Sequence, residues 1–313
     1  MLSMHIDPLP GVQRDNLGKA LSEQANRLQD AKNVHGSAAD RLLAYLRWAT
    51  DAGRALSTML RQEDVRRLVL TDQFRLLLSA GPGLIGADNE RQRTLNGLVI
   101  AETDARTADL EAAGQDLERR IQRWAFTGIC VMADTNFYME HQDRFDEIDF
   151  RALLHGHTPE VLIRGHIRLL IPLAVIDELD AQKRRNEARQ RARARCTLAI
   201  IDGLFPKPDA QADLWPTKDK QRIGDPITAE LLFDPPNHVR LPRTDEEIID
   251  RLIATEPVAG RDIYLITYDT NMSMRARRAG VHVVKLVEPE KPPSRRQERR
   301  DKTAAGSPSR LQQ

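Results

Sequence analysis

Apolar runs that end in an acidic residue constrain the fold of this chain most. Residues 129–133, ICVMA, have the length and composition of a buried strand, and Asp134 follows directly. Residues 263–267 repeat the pattern, with Asp269 just beyond the run. Short apolar or β-branched runs predict further strands at 168–171, 239–241 and 281–286.

Helical patterns lie between most of these runs, at residues 174–202, 244–254 and 271–279. Strands that alternate with helices favour an α/β fold with a mainly parallel sheet flanked by helices. In such sheets ligands bind outside the carboxyl ends of the strands. We therefore expect Asp134 and Asp269 to emerge at one functional edge.

The N-terminal part of the chain has an all-α pattern, with helices expected at 37–60, 64–78 and 88–124. Ser37 and Asp40 form a capping pair at the first of them. The third carries a heptad-like apolar stripe, which suits packing in a helical hairpin or short coiled coil. Its members are Leu110, Ala113, Leu117, Ile121 and Trp124. These helices are candidates for contact with a protein partner or a second copy of the chain.

The sequence thus predicts a helical module at 1–125 and an α/β domain at 126–288. Within the domain, residues 205–242 contain seven prolines and are expected to form an irregular insertion, although GDPITAELLF is compatible with a strand. Residues 289–313 are basic and poor in apolar side chains, so we expect a disordered tail.

Composition points to no particular partner, because 47 basic and 46 acidic side chains give a net charge of +1. Cys130 and Cys196 are too few for a disulfide framework, and Cys130 lies in an apolar run typical of a core. The N-terminus lacks the features of a signal peptide, and no apolar stretch is long enough to span a membrane. We expect a cytoplasmic protein without membrane contact.

Glu178 and Asp245 are further candidate acids. Glu178 falls near the start of a predicted helix, where the helix dipole favours acids whatever their function. Asp245 has a structural alternative as well, because Thr244 and Glu247 resemble a capping box that would place it at the first helical position. Together, however, carboxylates gathered at one sheet edge repel one another unless a cation or protons intervene. Oxygen ligands alone favour Mg²⁺ or Mn²⁺ over zinc.

Four motifs in this order, ADTNFYM, IPLAVIDELDAQK, TDEEII and LITYDTNMSMRARRAG, resemble those of the PIN-domain nucleases over residues 129–287. The resemblance implies a metal-dependent endoribonuclease. The acidic quartet of that family then corresponds to catalytic and metal-binding residues Asp134, Glu178, Asp245 and Asp269. Supporting positions correspond to Asn136, Thr267 and Asn271.

A basic segment follows Glu178, with seven basic residues and one acid between positions 183 and 195. Such a single-signed segment beside an acidic site favours contact with a phosphate backbone. The candidate nucleic-acid-binding residues are Lys183, Arg184, Arg185, Arg189, Arg275 and Arg277. Aromatic residues are only 4% of the chain, and we expect Phe137 to pack in a helix rather than stack on a base.

These patterns predict an enzyme that uses Mg²⁺ or Mn²⁺ to cleave single-stranded or loosely structured RNA. Two alternatives stay open at the level of sequence. One is a structure-specific DNA nuclease with the same chemistry. The other is a non-catalytic RNA-binding or scaffold protein whose helical module docks a partner.

Overall fold

The computed structural model describes residues 4–80, 83, 88–157, 164–184, 186–207, 210–214, 225–236 and 238–287. The predicted tail at 289–313 lies outside the described residues, and so does Arg185.

The N-terminal region is helical, as predicted. Its helices are α1 (Arg14–Lys32), α2 (Ala38–Leu56), α3 (Gln62–Leu68), α4 (Asp72–Ala80) and α5 (Asn89–Arg123). The capping box at the start of α2 is confirmed, since the Asp40 amide donates to the Ser37 hydroxyl and the Ser37 amide donates to the Asp40 carboxylate. The single helix predicted at 64–78 is wrong, because the Thr71 hydroxyl accepts a hydrogen bond from the Phe74 amide and starts a second helix, α4.

Helix α5 packs against α1 and α2. In the predicted stripe, Leu110, Ala113, Leu117 and Trp124 are buried within the chain, and Ile121 is partly buried. Buried Glu102 on α5 links this helix to α2 and to the start of α4, because its carboxylate accepts hydrogen bonds from Tyr45 (3.1 Å) and Thr71 (2.8 Å). The stripe is thus used inside the chain, and a partner on the outer faces of these helices stays a prediction.

The remaining described residues alternate between strands and helices. The strands are β1 (Gly128–Ala133), β2 (His166–Pro172), β3 (Gln211–Asp213), β4 (Ile227–Leu232), β5 (Ile263–Thr267) and β6 (Val283–Lys285). The helices are α6 (Thr135–Glu140), α7 (Phe150–His157), α8 (Leu173–Gln182), α9 (Ala188–Leu204), α10 (Thr244–Ala259) and α11 (Thr270–Arg278).

In the described part of the chain the strands form one six-stranded sheet in the order β3-β4-β2-β1-β5-β6. All neighbouring pairs are parallel except β3 with β4. The expected mainly parallel α/β sheet is therefore confirmed. Cys130 in β1 is fully buried, as its apolar surroundings predicted.

Two local predictions are wrong, and one is confirmed in part. The helix expected at 174–202 is divided into α8, which ends at Gln182, and α9, which begins at Ala188. Residues 239–241 form no strand, because the Leu241 amide donates to the Glu247 side chain and Val239 is 84% exposed. In residues 205–242 the strand that GDPITAELLF allowed is confirmed as the buried β4, which pairs with β2, and the short strand β3 pairs with β4.

The helical region and the sheet region share one continuous hydrophobic core. The turn between α5 and β1 is held by two arginines. Arg261 donates to the carbonyls of Trp124 (3.1 Å) and Phe126 (2.8 Å), and both Arg168 and Arg261 lie 4.0 Å from the centre of the Phe126 ring. The domain boundaries at 125 and 288 stay predictions. Among the described helices, none is long and apolar enough to cross a bilayer.

Gly128 at the start of β1 offers a test of this packing. Its φ is +150°, and an added Cβ would lie 1.9 Å from the backbone oxygen of His166 on β2. Gly128→Ala should therefore lower the free energy of unfolding by about 3 kcal/mol or more. Gly114→Ala in α5 is the matched control, because nothing lies within 4 Å of its added methyl. The control should gain up to about 1 kcal/mol from helix propensity.

Urea denaturation of the wild type and both variants, followed by circular dichroism, measures these changes. Equal stabilities of the two alanine variants would contradict the close approach of β1 and β2 at this point.

Candidate functional site

The four predicted acids lie at the carboxyl edge of neighbouring strands. Asp134 directly follows β1, the strand between β2 and β5. Asp269 follows β5 by two residues, and Glu178 lies on α8, which begins where β2 ends. Asp245 is the second residue of α10. The parallel order of the strands thus carries acids that are far apart in sequence to one side of the sheet.

Asp134 is the most buried of the four, with 2% of its surface exposed. It is the N-cap of α6, and its Oδ1 accepts a hydrogen bond from the Phe137 amide at 2.9 Å. Its Oδ2 accepts from the Thr267 hydroxyl at 2.5 Å. Both carboxylate oxygens are thereby fixed by donors from neighbouring elements.

Thr267 links Asp134 to Asp269. The hydroxyl that donates to Asp134 also accepts a hydrogen bond from the Asp269 amide at 2.8 Å. Asp269 is the N-cap of α11 through the Met272 amide at 2.9 Å, and the Asn136 side-chain amide donates to its Oδ2 at 3.4 Å. The structure therefore places two of the expected supporting residues, Asn136 and Thr267, against the acids.

Glu178 is positioned by a residue that the sequence analysis missed. The hydroxyl of Thr135 donates to Glu178 Oε2 at 2.7 Å, and Thr135 immediately follows Asp134. The sequence signal for this contact is a hydroxyl residue directly after Asp134, the acid that follows β1. The side-chain oxygen of the third expected supporting residue, Asn271, accepts a hydrogen bond from Arg275 Nε at 3.0 Å, and its supporting role stays a prediction.

The acids also act on one another electrostatically. The pKa of Asp134 is raised to about 7, mainly by burial and also by the charges of Asp245 and Asp269, while its hydrogen bonds from Thr267 and Phe137 act to lower it. Burial, followed by the charge of Asp269, also raises the pKa of Asp245. Among the described residues Asp134 has no ion pair. The edge therefore holds an excess of negative charge that a cation would offset.

The donor set fits a hard divalent ion. Asp134, Glu178, Asp245 and Asp269 offer only carboxylate oxygens, which Mg²⁺ and Mn²⁺ prefer. They do not, however, bring three ligand atoms within 4.8 Å of one another in the described ranges. The fit rests on the chemistry and charge of the donors, and above all on the buried, unpaired Asp134.

One other group of described residues does meet that spacing: Asp234, His238 and Glu247. Its donors are already engaged within the protein. Glu247 accepts from the Leu241 amide at 2.8 Å and shares a 2.7 Å hydrogen bond with His238, while Arg240 donates to Asp234 at 2.6 Å. These bonds fasten the loop before α10. They also show that the predicted Thr244–Glu247 capping box is wrong, since Glu247 binds this loop and Arg243 is the N-cap.

The predicted nucleic-acid-binding residues fall into two groups. Arg189 and Arg277 are exposed, whereas Lys183 and Arg184 form surface ion pairs with Asp180 at 2.8 and 3.3 Å. Arg275 is half-buried and bonds to Glu246 at 2.5 Å. The neighbouring Arg193 donates to the carbonyls of Tyr138, His141 and Asp143, so its role is structural.

Phe137 is fully buried among the rings of Tyr138, His141, Phe150 and Tyr268. Its expected packing role is confirmed.

The raised pKa of Asp134 predicts a pH-dependent penalty on folding. In the unfolded chain an aspartate ionises near pH 4, whereas folded Asp134 retains its proton up to about pH 7. Its destabilising effect should therefore grow as the pH rises from about 4 and level off above about 7. Asp134→Asn removes this ionisation and keeps the shape. In EDTA its melting temperature should exceed that of the wild type by more at pH 8 than at pH 5.

Differential scanning calorimetry across this pH range measures the effect, with Asp51→Asn, an exposed change on α2, as the control. A difference between Asp134→Asn and wild type that is the same at every pH would contradict the raised pKa.

Comparison with known proteins agrees with this arrangement. No curated protein matches the chain. The model of the PIN domain family matches residues 131–287, half of the chain, and this range includes all four acids and strands β2 to β6 in full. Members of this family are generally nucleases, typically dependent on a divalent metal. The chain belongs to the PIN domain family.

Proposed function

We propose that this protein is a metal-dependent endoribonuclease that hydrolyses phosphodiester bonds in single-stranded or loosely structured RNA. The observation that carries the proposal is the state of Asp134. A carboxylate that is 2% exposed, has a pKa raised to about 7 and faces two further acids is costly for a purely structural role.

The acids would serve as the metal ligands, and the chain itself orients them. Phe137 and Thr267 fix Asp134, the Met272 amide fixes Asp269, and Thr135 fixes Glu178. When bound, Mg²⁺ or Mn²⁺ lowers the pKa of a water molecule and offsets negative charge that develops on the phosphate. Because both aspartates are helix N-caps, their orientation is set before any ligand arrives.

The basic residues supply contacts to the phosphate backbone. Lys183 and Arg184 follow the end of α8, the helix that carries Glu178, and Arg189 lies near the start of α9. Arg277 lies on α11, which starts at Asp269. Cations on the elements that carry or follow Glu178 and Asp269 suit a polyanion that is held along its backbone while one phosphate meets the acids. Phe137 and Tyr138, the aromatic residues that follow Asp134 in sequence, are both buried, so neither is available to stack on a base.

A non-catalytic RNA-binding role is the second candidate. It is favoured by the separation of the acids, which bring no three ligand atoms within 4.8 Å in the described part of the chain. The same basic residues would then bind RNA without cleavage. An assay that measures both RNA cleavage and RNA binding decides between the two roles.

The deciding experiment is cleavage of an end-labelled single-stranded RNA, beside a DNA of the same sequence, in Mn²⁺, Mg²⁺ or EDTA. We expect the wild type to cleave RNA in either metal and not in EDTA. Asp134→Asn/Asp269→Asn should lose at least ~100-fold in rate, because two ligands of the charge-neutralising ion are gone. It should still bind RNA in a gel-shift assay. Asp30→Asn/Asp51→Asn, two exposed changes on α1 and α2, is the matched control and should cleave normally.

Three results would contradict the proposal. Equal cleavage by the wild type and the Asp134/Asp269 variant would place the activity outside these acids. Binding of RNA without cleavage in any metal would support the non-catalytic role. Faster cleavage of the DNA strand would favour a DNA nuclease.

A further inference from the structure

A shallow cavity of about 520 Å³, largely open to solvent, is lined by residues of α10 and α11 and by Leu241. Its volume falls within the roughly 300–1,000 Å³ range of small-molecule sites. It is mixed in character, with aliphatic residues on one side and charged residues on the other. None of the predicted catalytic residues lines it.

The aliphatic side is formed by Ile249 and Ile253, one turn apart on α10, and by Leu241. Leu241 is 42% exposed, which makes it one of the large apolar side chains left open to solvent. A flat ring placed against these side chains would cover apolar surface that the protein itself leaves uncovered.

The charged side is formed in part by Arg278 and Asp250. Neither side chain makes a hydrogen bond or ion pair with another residue in the described ranges, so both are available to a ligand. Arg275 also lines the cavity and is held by Glu246 and Asn271. A ligand that satisfies this wall needs an anionic group for the arginines and N–H donors for the carboxylate of Asp250.

The cavity adjoins the acidic edge through two of its lining residues. Glu246 directly follows Asp245, and Arg275 donates to Asn271, which lies two residues after Asp269. The charge of Arg275 acts on Asp245, so this arginine borders both the acids and the cavity. A strand with one phosphate at the acids would therefore reach the cavity with a neighbouring nucleotide.

We infer that this cavity binds one nucleotide of the RNA strand beside the cleaved bond and selects guanine there, an inference that rests on the proposed function. The phosphate of the nucleotide contacts Arg275 and Arg278, and its base lies against Ile249 and Ile253. Guanine is the base that presents two adjacent donors, N1–H and the N2 amino group, to a single carboxylate. Asp250 accepts both. Adenine, cytosine and uracil each place an acceptor beside their donor and lose one of the two bonds.

The first measurement is the binding of GMP, AMP, CMP and UMP to the full chain in EDTA, followed by NMR or calorimetry. Without metal the acids repel nucleotides, so binding reports the cavity. GMP should bind about tenfold more tightly than AMP, as expected for hydrogen bonds to a charged acceptor. Asp250→Asn should remove this preference, whereas Arg278→Gln should weaken all four nucleotides alike. Asp30→Asn should change neither.

The second measurement is cleavage of RNA pools with each base at every position around the cut. Wild type should show guanine at one position next to the cut, and Asp250→Asn should lose that preference while still cleaving. Equal affinity for the four nucleotides, or an unchanged preference in Asp250→Asn, would overturn the inference. Selective binding of GMP without RNA cleavage would retain the cavity and reject the nuclease. Cleavage without base preference would retain the nuclease and reject the selection of guanine by the cavity.

Discussion

The organisation of the α/β region depends on the burial of one carboxylate. Asp134 ends the strand that lies between β2 and β5, and its two oxygens are held by the Phe137 amide and the Thr267 hydroxyl. Burial disfavours the ionised form of Asp134 and raises its pKa. The hydrogen bonds that hold Asp134 also start α6 and tie β1 to β5, so the geometry of the edge follows from this residue. Such an arrangement is stable at neutral pH when a proton or a cation compensates the charge.

The contrast with the group formed by Asp234, His238 and Glu247 is instructive. The ligand atoms of that group lie closer together than those of the acidic edge. Its carboxylates are nevertheless compensated by hydrogen bonds with a histidine, an arginine and a backbone amide. It therefore needs no ligand to be stable, and it holds the loop that leads into α10. Asp134 and Asp269 accept hydrogen bonds only from neutral amides and a hydroxyl, and neither forms an ion pair with another described residue. In this protein a candidate metal centre differs from a structural cluster by its uncompensated carboxylate charge, more than by the distance between its ligand atoms.

Much of this edge was predictable because an acid directly after an apolar run has few local explanations. Asp134 and Asp269 follow buried strands, and parallel strand order then places them together. The sequence was less informative where a side chain had two possible partners. Glu247 appeared to cap α10 and instead binds His238 and Leu241, and no local pattern encodes a contact across a loop. In the same way, residues 239–241 have the composition of a strand but lie in that loop, and the short strand β3 has no apolar run to mark it. Thr135 was missed because its partner, Glu178, is 43 residues away.

The most direct test is to soak crystals of the protein in Mn²⁺ and to collect anomalous diffraction data. If the carboxyl edge is a metal centre, an anomalous peak should lie among Asp134, Asp245 and Asp269, with Glu178 nearby. The group of Asp234, His238 and Glu247 should show no peak. No peak at the edge at saturating Mn²⁺, or a peak only at Asp234, His238 and Glu247, would contradict the assignment of the metal centre.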